Sequence, residues 1–591
     1  MKRLFYSALI VAAAMTTLGT VSSCEDMLEP NTDLVMFPED NQLNVANDTM
    51  SSVIGVVSMM QKIADRTILL GLVRSDLIKV TEYASQDLKE LANFNISEDN
   101  IYNRPQDYYR IINSCNYFIE HADINYKKQG ISVFEKDLTA MHSFRAWAYL
   151  QLCLNYGGDG SIPFYTHFIG TQEEAETVAR DSWTSKEEIY KWLIEDLKPF
   201  ETTRSFDCGR VNNMNSSFFV VPVRVLLAEL SLWAGQYEEA AQYYHAYFND
   251  KDEPHILYFY PMAFDTRYKP QQLLEDYYFT SYYSRSNFDF EAYIPMHTDA
   301  TQGEVSNLYE LTNSTDNNNY YYQITVSNSA KEISRKQSYC YVYVDGVKRD
   351  TIYMKNYFFK RPNESGLNGD LRLYRACQFS AVASATTDIY NDTKQTMNFY
   401  SQSASDEIPL YRREVLYLHY AEALNRAGFP TVAFAVLKYG LCDDNYAKMD
   451  SAVVNFDEVA AAGDLAQFDP QYFSNKSSAS LADDNFSTRD IKGIHSRGCG
   501  DAAANKDYVI PALATANDTM LWVEDAIMEE IALETPVENV RFYDLMRVAL
   551  RRHDNSYLAS RIAVRDGQEH EDVALKTLLM DARNWYLPMK K

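Results

Sequence analysis

Residues able to make and break bonds are scattered along this chain and form no familiar constellation. Gly157-Gly158-Asp159-Gly160 lacks the Lys-Ser/Thr pair that a phosphate-cradling loop needs, and reads as a helix stop. There is no Gly-x-Ser-x-Gly elbow and no His-Glu-x-x-His pair. His419 and Glu422 stand three apart, a spacing that puts both side chains on one helix face and could offer two metal ligands. No second such pair accompanies them, so a packed or solvated pair is expected. Eight cysteines (24, 115, 153, 208, 340, 377, 442 and 499) contain no CxxC, and seven remain once Cys24 is set aside. That excludes a zinc knuckle and a regular disulfide framework, and most of these cysteines are expected to be small buried side chains. Carboxylates are plentiful, and a pair distant in sequence stays open as acid and base of a surface hydrolase. The expectation is nevertheless a protein that is not an enzyme, with no catalytic residue, no cofactor and no metal site.

The thiol with a defined chemical fate is Cys24. Lys2 and Arg3 precede a mostly apolar run from Phe5 to Val21, and Ser22 and Ser23 stand directly before the cysteine. Charged start, apolar run, small residues and cysteine come in the order of a bacterial lipobox, whose cysteine is acylated on sulfur and becomes the first mature residue. An ordinary signal peptide with an incidental cysteine is the other reading. Thr16, Thr17, Gly19 and Thr20 interrupt the run and make it a poor permanent span. Two or more acyl chains hold a protein at a membrane where one binds weakly.

The other chemistry available is non-covalent. The chain carries 45 Tyr and 29 Phe among 591 residues, and most must pack between elements. Those set in polar, aperiodic stretches with Asn, Asp and Arg are candidates for a ligand face, since a phenol offers a flat apolar surface and a hydroxyl together. The early loop supplies Arg74, Asp76, Tyr83, Asn93 and Tyr102. A later stretch supplies Tyr282, Tyr283, Arg285, Tyr320, Tyr321 and Tyr322. Any one of these is more often packed than exposed. Adjacent tyrosines in a strand point to opposite faces, so only alternate members could share one platform.

The elements that must position these residues are mainly helical. Amphipathic patterns begin near Asp48, recur over 107–118, and run longest over 135–156, with Ala140, Phe144, Ala148 and Leu152 on one stripe. Thr184 or Ser185, followed by Glu187 or Glu188, caps another helix. Ala228, Gly235 and Ala240 repeat the spacing of Ala421, Gly428 and Ala433, that of tetratricopeptide helix pairs. Two units so far apart imply pairs brought together in space with an insertion between them. Helices are also expected over 411–426, 523–531 and 540–551. The insertion, about 250–404, loses helical period. Its clearest feature is a hairpin over Ser338–Met354, with Asp345-Gly346 as the turn. Residues 451–515 read as loop-rich.

Formal net charge is -27 (Asp+Glu 82, Lys+Arg 55), with no Lys/Arg block, so nucleic acid is an unsuitable partner. Nothing beyond the leader reads as apolar for long enough to cross a bilayer. The expected layout is a signal peptide over 1–23, a lipidated leash over 24–45, and one domain over 46–591. Its helical scaffold occupies 46–250 and 405–591, and its variable, ligand-binding insertion about 250–404.

Several segments in order resemble the SusD/RagB family of outer-membrane lipoproteins. Cys24-Glu25-Asp26-Met27-Leu28-Glu29-Pro30 is similar to its mature start, and 107–116 to its early helix. Phe144-Arg145-Ala146-Trp147-Ala148-Tyr149-Leu150, with Asn155-Tyr156-Gly157 and Ile162-Pro163, resembles a helix and its exit. So do 413–425, Glu529–Glu534, Arg541–Arg547 and Tyr586-Leu587-Pro588 at the close. Glu530 replaces a common Arg, and Thr535-Pro536-Val537-Glu538-Asn539 replaces a Glu-Gly turn. The resemblance implies a mainly α, TPR-like, SusD-like fold with a loop-rich insertion. It assigns Arg541, Asp544 and Arg547 to holding helices together. It also implies a cell-surface lipoprotein in the outer membrane of a Gram-negative bacterium, partnered with a TonB-dependent, SusC-like transporter. The nutrient bound is an oligosaccharide; the alternative is a peptide, as in the RagB-like branch.

Overall fold

The computed structural model describes residues 46–250, 290–313, 322–345, 348–355, 370–379, 395–397, 406–441, 449–468 and 493–589, apart from single positions 205, 371 and 501. Structural statements below concern those residues. Cys24, Tyr282, Tyr283, Arg285, Tyr320 and Tyr321 lie outside them.

The architecture is mainly helical, with strands confined to two-stranded sheets among the described residues. Its centre is the helix Glu135–Asn155, nearly all of whose side chains are buried. A helix enclosed on every side must place its charges in pairs. Arg145 accordingly reaches both Asp196 oxygens at 2.9 and 2.8 Å and the Asn116 Oδ1 at 2.8 Å. The helix stops because Tyr156 turns extended and Gly157 takes a positive φ of 73°. Ala46–Gln61, Pro105–His121, Lys186–Leu197 and Val223–Trp233 pack around it. Ser185 caps Lys186–Leu197, its hydroxyl accepting from the Glu188 N–H while the Glu188 carboxylate accepts from the Ser185 N–H, as the sequence led one to expect.

Both helix pairs exist. Val223–Trp233 turns through Gly235 into Tyr237–Phe248, and Arg413–Arg426 turns through Gly428 into Pro430–Lys438. The two glycines have φ of 75° and 99°, a backbone region costly for side chains with a Cβ. The pairs meet where Phe248 stacks on Tyr417, ring centroids 3.9 Å apart. Ala516–Glu534 and Val540–Arg552 complete the scaffold.

Some expectations are corrected. Ser216–Trp233 is long and apolar enough to cross a membrane by composition, contrary to the reading that no such stretch follows the leader. Of it, 72% is buried, and only Val223–Trp233 is α-helix, so this is a core segment. Tyr411 and Arg412 belong to a strand, Glu407–Arg412, that pairs antiparallel with Phe290–Pro295 across the base of the insertion. The hairpin pairs Ser338–Asp345 with Lys348–Lys355. Asp345, expected in the turn, is itself paired opposite Lys348 and so belongs to the strand.

Candidate ligand-binding surface

The early loop is held by its first residues. Arg74, fully buried, donates to the Leu70 carbonyl at 2.6 Å, the Trp585 carbonyl at 2.7 Å and the Asn155 side-chain oxygen. Its guanidinium lies 4.3 Å from the Phe542 ring centre. Asp76, 2% exposed, receives two bonds from Arg541, each 3.0 Å. Both were expected as ligand contacts; burial and complete pairing make them scaffold anchors instead. A buried carboxylate is tolerated only when so paired.

Beyond them the chain pairs Ile78–Val80 antiparallel with Ile324–Val326. This joins the early loop to the insertion across more than 240 positions. The Thr81 N–H donates to the Gln323 carbonyl at 2.9 Å, and the Thr81 hydroxyl donates to the Tyr322 carbonyl. The Ser85 N–H donates to the Gln323 side-chain oxygen at 2.8 Å. Tyr322, the one described candidate of the later stretch, thus lies beside the early loop. Tyr322 itself is buried, φ 49°, its hydroxyl 3.0 Å from that of Thr325; it props the junction and is no platform.

Tyr83 is 52% exposed. It enters the helix Gln86–Ala92, capped by Ser85, and the chain returns past the same end, where the Ile101 N–H donates to the Asp87 carboxylate at 3.2 Å. Ile101 is exposed and Tyr102 half-buried. Asn93, exposed, closes the helix. Phe94, at φ 55°, packs on Phe542, whose ring therefore lies against both Arg74 and Phe94. Sequence reasoning missed Ile101, a lone aliphatic in a polar run. It also missed Glu90, whose carboxylate ties Ser97 at 2.8 Å and Asn100 at 3.0 Å. Those bonds hold its acidity near pH 2, well below the usual range. The surface offers aromatic and aliphatic faces with amide and carboxylate edges.

His419 and Glu422 are scaffold, as expected. His419 lies between Glu229 at 2.7 Å and Asp544 at 3.2 Å. Glu422 receives Arg547 at 2.9 and 2.5 Å and Arg551 at 2.7 Å. Glu530 meets His495 at 2.9 Å and Arg372 at 2.6 Å, which compensates its burial. Cys115, Cys153, Cys340, Cys377 and Cys499 are buried, and Cys208 is half-buried.

No protein-family model matches this chain, and no curated protein matches it in sequence. Solved structures do match in fold. A SusD superfamily protein from Bacteroides thetaiotaomicron superposes with TM-score 0.53 at 12% identity, over 92% of this chain and 96% of the other. A SusD-like carbohydrate binding protein from Bacteroides fragilis gives 0.51 at 14%, over 88% of each. Surface glycan-binding protein A from Bacteroides fluxus gives 0.50 at 14%, over 90% and 94%. The fold of this chain is the SusD-like fold.

Proposed function

We propose that this chain, folded as a SusD-like protein, is a surface lipoprotein of the SusD/RagB family that binds an oligosaccharide and passes it to a TonB-dependent outer-membrane transporter. The observation that carries the reading is the junction of the early loop with the insertion. It sets Tyr83, Ile101 and Tyr102 on an exposed, irregular surface carried by a rigid scaffold, where binding residues are commonly found. Aromatic faces suit the C–H faces of a sugar ring, and the Asn and Asp edges suit its hydroxyls. Two structural neighbours of matching length, named as carbohydrate- or glycan-binding, support the same ligand class.

In this reading Cys24 carries the lipid anchor at the cell surface, and the ligand leaves the protein uncut. A glycan array run beside a peptide pool tests the ligand class. Binding of an oligosaccharide, weakened by Tyr83→Ala, is expected; binding confined to peptides would falsify the carbohydrate assignment. Mass spectrometry of the mature N-terminus and membrane fractionation of Cys24→Ala test the anchor. A pull-down in mild detergent tests the transporter.

A further inference from the structure

The scaffold encloses a cavity of about 70 Å³ that shares no residue with the ligand surface. Its lining has helical spacing. Glu135–Asn155 contributes Trp147, Leu150, Gln151 and Leu154, and Val540–Arg552 contributes Val540, Tyr543, Asp544 and Arg547. Positions i, i+3, i+4 and i+7 share one face, so each helix turns a whole stripe toward the cavity. Arg541 and Phe542 lie off that stripe and hold the root of the early loop instead. Glu229 with Trp233, and Val415 with His419, each four apart, extend the lining from the two helix pairs.

An inward stripe is ordinarily apolar. Here it carries hydrogen-bonding atoms that the described residues leave unused. Gln151 is 7% exposed, and its side-chain carbonyl oxygen accepts no bond from them. Burying an amide without a partner is costly. One Glu229 oxygen takes both the Tyr244 hydroxyl at 2.6 Å and His419 at 2.7 Å, and the other receives nothing from the described residues. Arg547 commits Nε and Nη2 to Glu422, and Nη2 again to Asp544 at 2.8 Å; Nη1 donates to none of them.

The charges around the cavity balance. Arg412 holds Glu538 at 3.0 and 2.7 Å, Arg547 holds Asp544, and the carboxylates of Glu229 and Asp544 keep His419 protonated between them. A net charge brought here would lose its water and find each counter-charge already paired. A hydroxyl both donates and accepts. Hydroxyls can donate to Gln151 and Glu229 and accept from Arg547, while Trp147, Leu150 and Trp233 meet C–H groups. At roughly 10–15 Å³ for each water, the space holds about five waters, or a polyol of roughly four carbons.

We propose that this cavity is a second binding site, which takes a small neutral polyol on Gln151, Glu229 and Arg547. The site is built from the scaffold alone and does not rest on the oligosaccharide reading.

Erythritol titrated into the full chain by calorimetry tests it. Saturable binding of one molecule per chain is expected. Gln151→Leu removes the amide at similar volume and should weaken erythritol about tenfold, the worth of a buried hydrogen bond. Without erythritol its urea midpoint should stay or rise, because an unpaired buried acceptor has gone. Leu154→Phe fills the space and should abolish binding in a chain that near-UV circular dichroism shows to be folded; if that variant fails to fold, Gln151→Leu alone decides. Equal erythritol binding by the native chain and Gln151→Leu overturns the site. So does an erythritol effect that only grows with concentration and never saturates, the behaviour of a cosolute excluded from the surface. Malate bound in a Gln151-dependent way in place of erythritol overturns the neutral class. None of these outcomes depends on what the Tyr83 surface binds.

Discussion

Asp76 and Arg541 lie 465 positions apart and meet through two 3.0 Å bonds, one from each of two guanidinium nitrogens to a separate carboxylate oxygen. Arg541 also donates to the Met528 carbonyl at 2.5 Å. The pair fixes the root of the early loop to the closing helix, and the ligand surface inherits its position from that fixture.

Removing one partner leaves a buried charge uncompensated. Arg541→Ala is expected to destabilise the fold by about 3–5 kcal/mol, and Asp76→Ala by a similar amount. The double variant should lose clearly less than the two single losses combined. Urea unfolding of the three variants measures the coupling, and strict additivity would count against it.

His419 supplies a pH dependence. Burial alone would lower its pKa, but the Glu229 and Asp544 carboxylates on either side push it from 6.5 up to about 10. A group whose pKa is raised on folding stabilises the protein fully below pH 6.5, and that stability is lost as pH rises through about 10. The loss should be on the order of a few kcal/mol. In His419→Gln the decline in melting temperature between pH 6.5 and 10 should flatten; an unchanged slope would remove His419 as its source.

Gly71 sits inside the Ala64–Leu72 helix, where Ala would ordinarily gain about 1 kcal/mol. A Cβ there would lie far inside van der Waals contact with the Asn539 carbonyl oxygen and 2.8 Å from Tyr543 Cε2. Backbone cannot swing aside as a side chain can, so overpacking, typically about 1–3 kcal/mol, should prevail. Gly71→Ala is expected to lower the melting temperature, and a rise would show that the two helices can separate at little cost.

On the ligand surface, Tyr83→Ala should weaken binding by roughly 1–3 kcal/mol, on the scale of aromatic stacking, with unfolding unchanged. Glu90→Gln should loosen the 93–102 loop, seen as faster amide exchange at Ser97, while the core exchanges as before. Glu90 titrates near pH 2 in the folded chain, so its support is present above the ordinary carboxylate range and is lost only as pH falls toward 2. Equal affinity in Tyr83→Ala would place the ligand elsewhere.

Local pattern determined much of this protein. Helical period, the capping box at Ser185 and Glu188, and the spacings around Gly235 and Gly428 each depend on residues a few positions apart, so the helices and their pairing into hairpins could be read directly. The roles of polar side chains could not. Arg74, Asp76 and Tyr83 look alike in sequence, three polar or aromatic residues in one loop. Only the fold decided that Phe542, Trp585 and Arg541 enclose the first two while Tyr83 stays in solvent. The pairing of Ile78–Val80 with Ile324–Val326 was equally invisible, because a three-residue strand has too little period to announce itself and its partner is chosen by the packing of everything between. Secondary structure here followed from short-range sterics and solvation; the burial of a charge, and so its use, followed from which distant residue arrived to neutralise it.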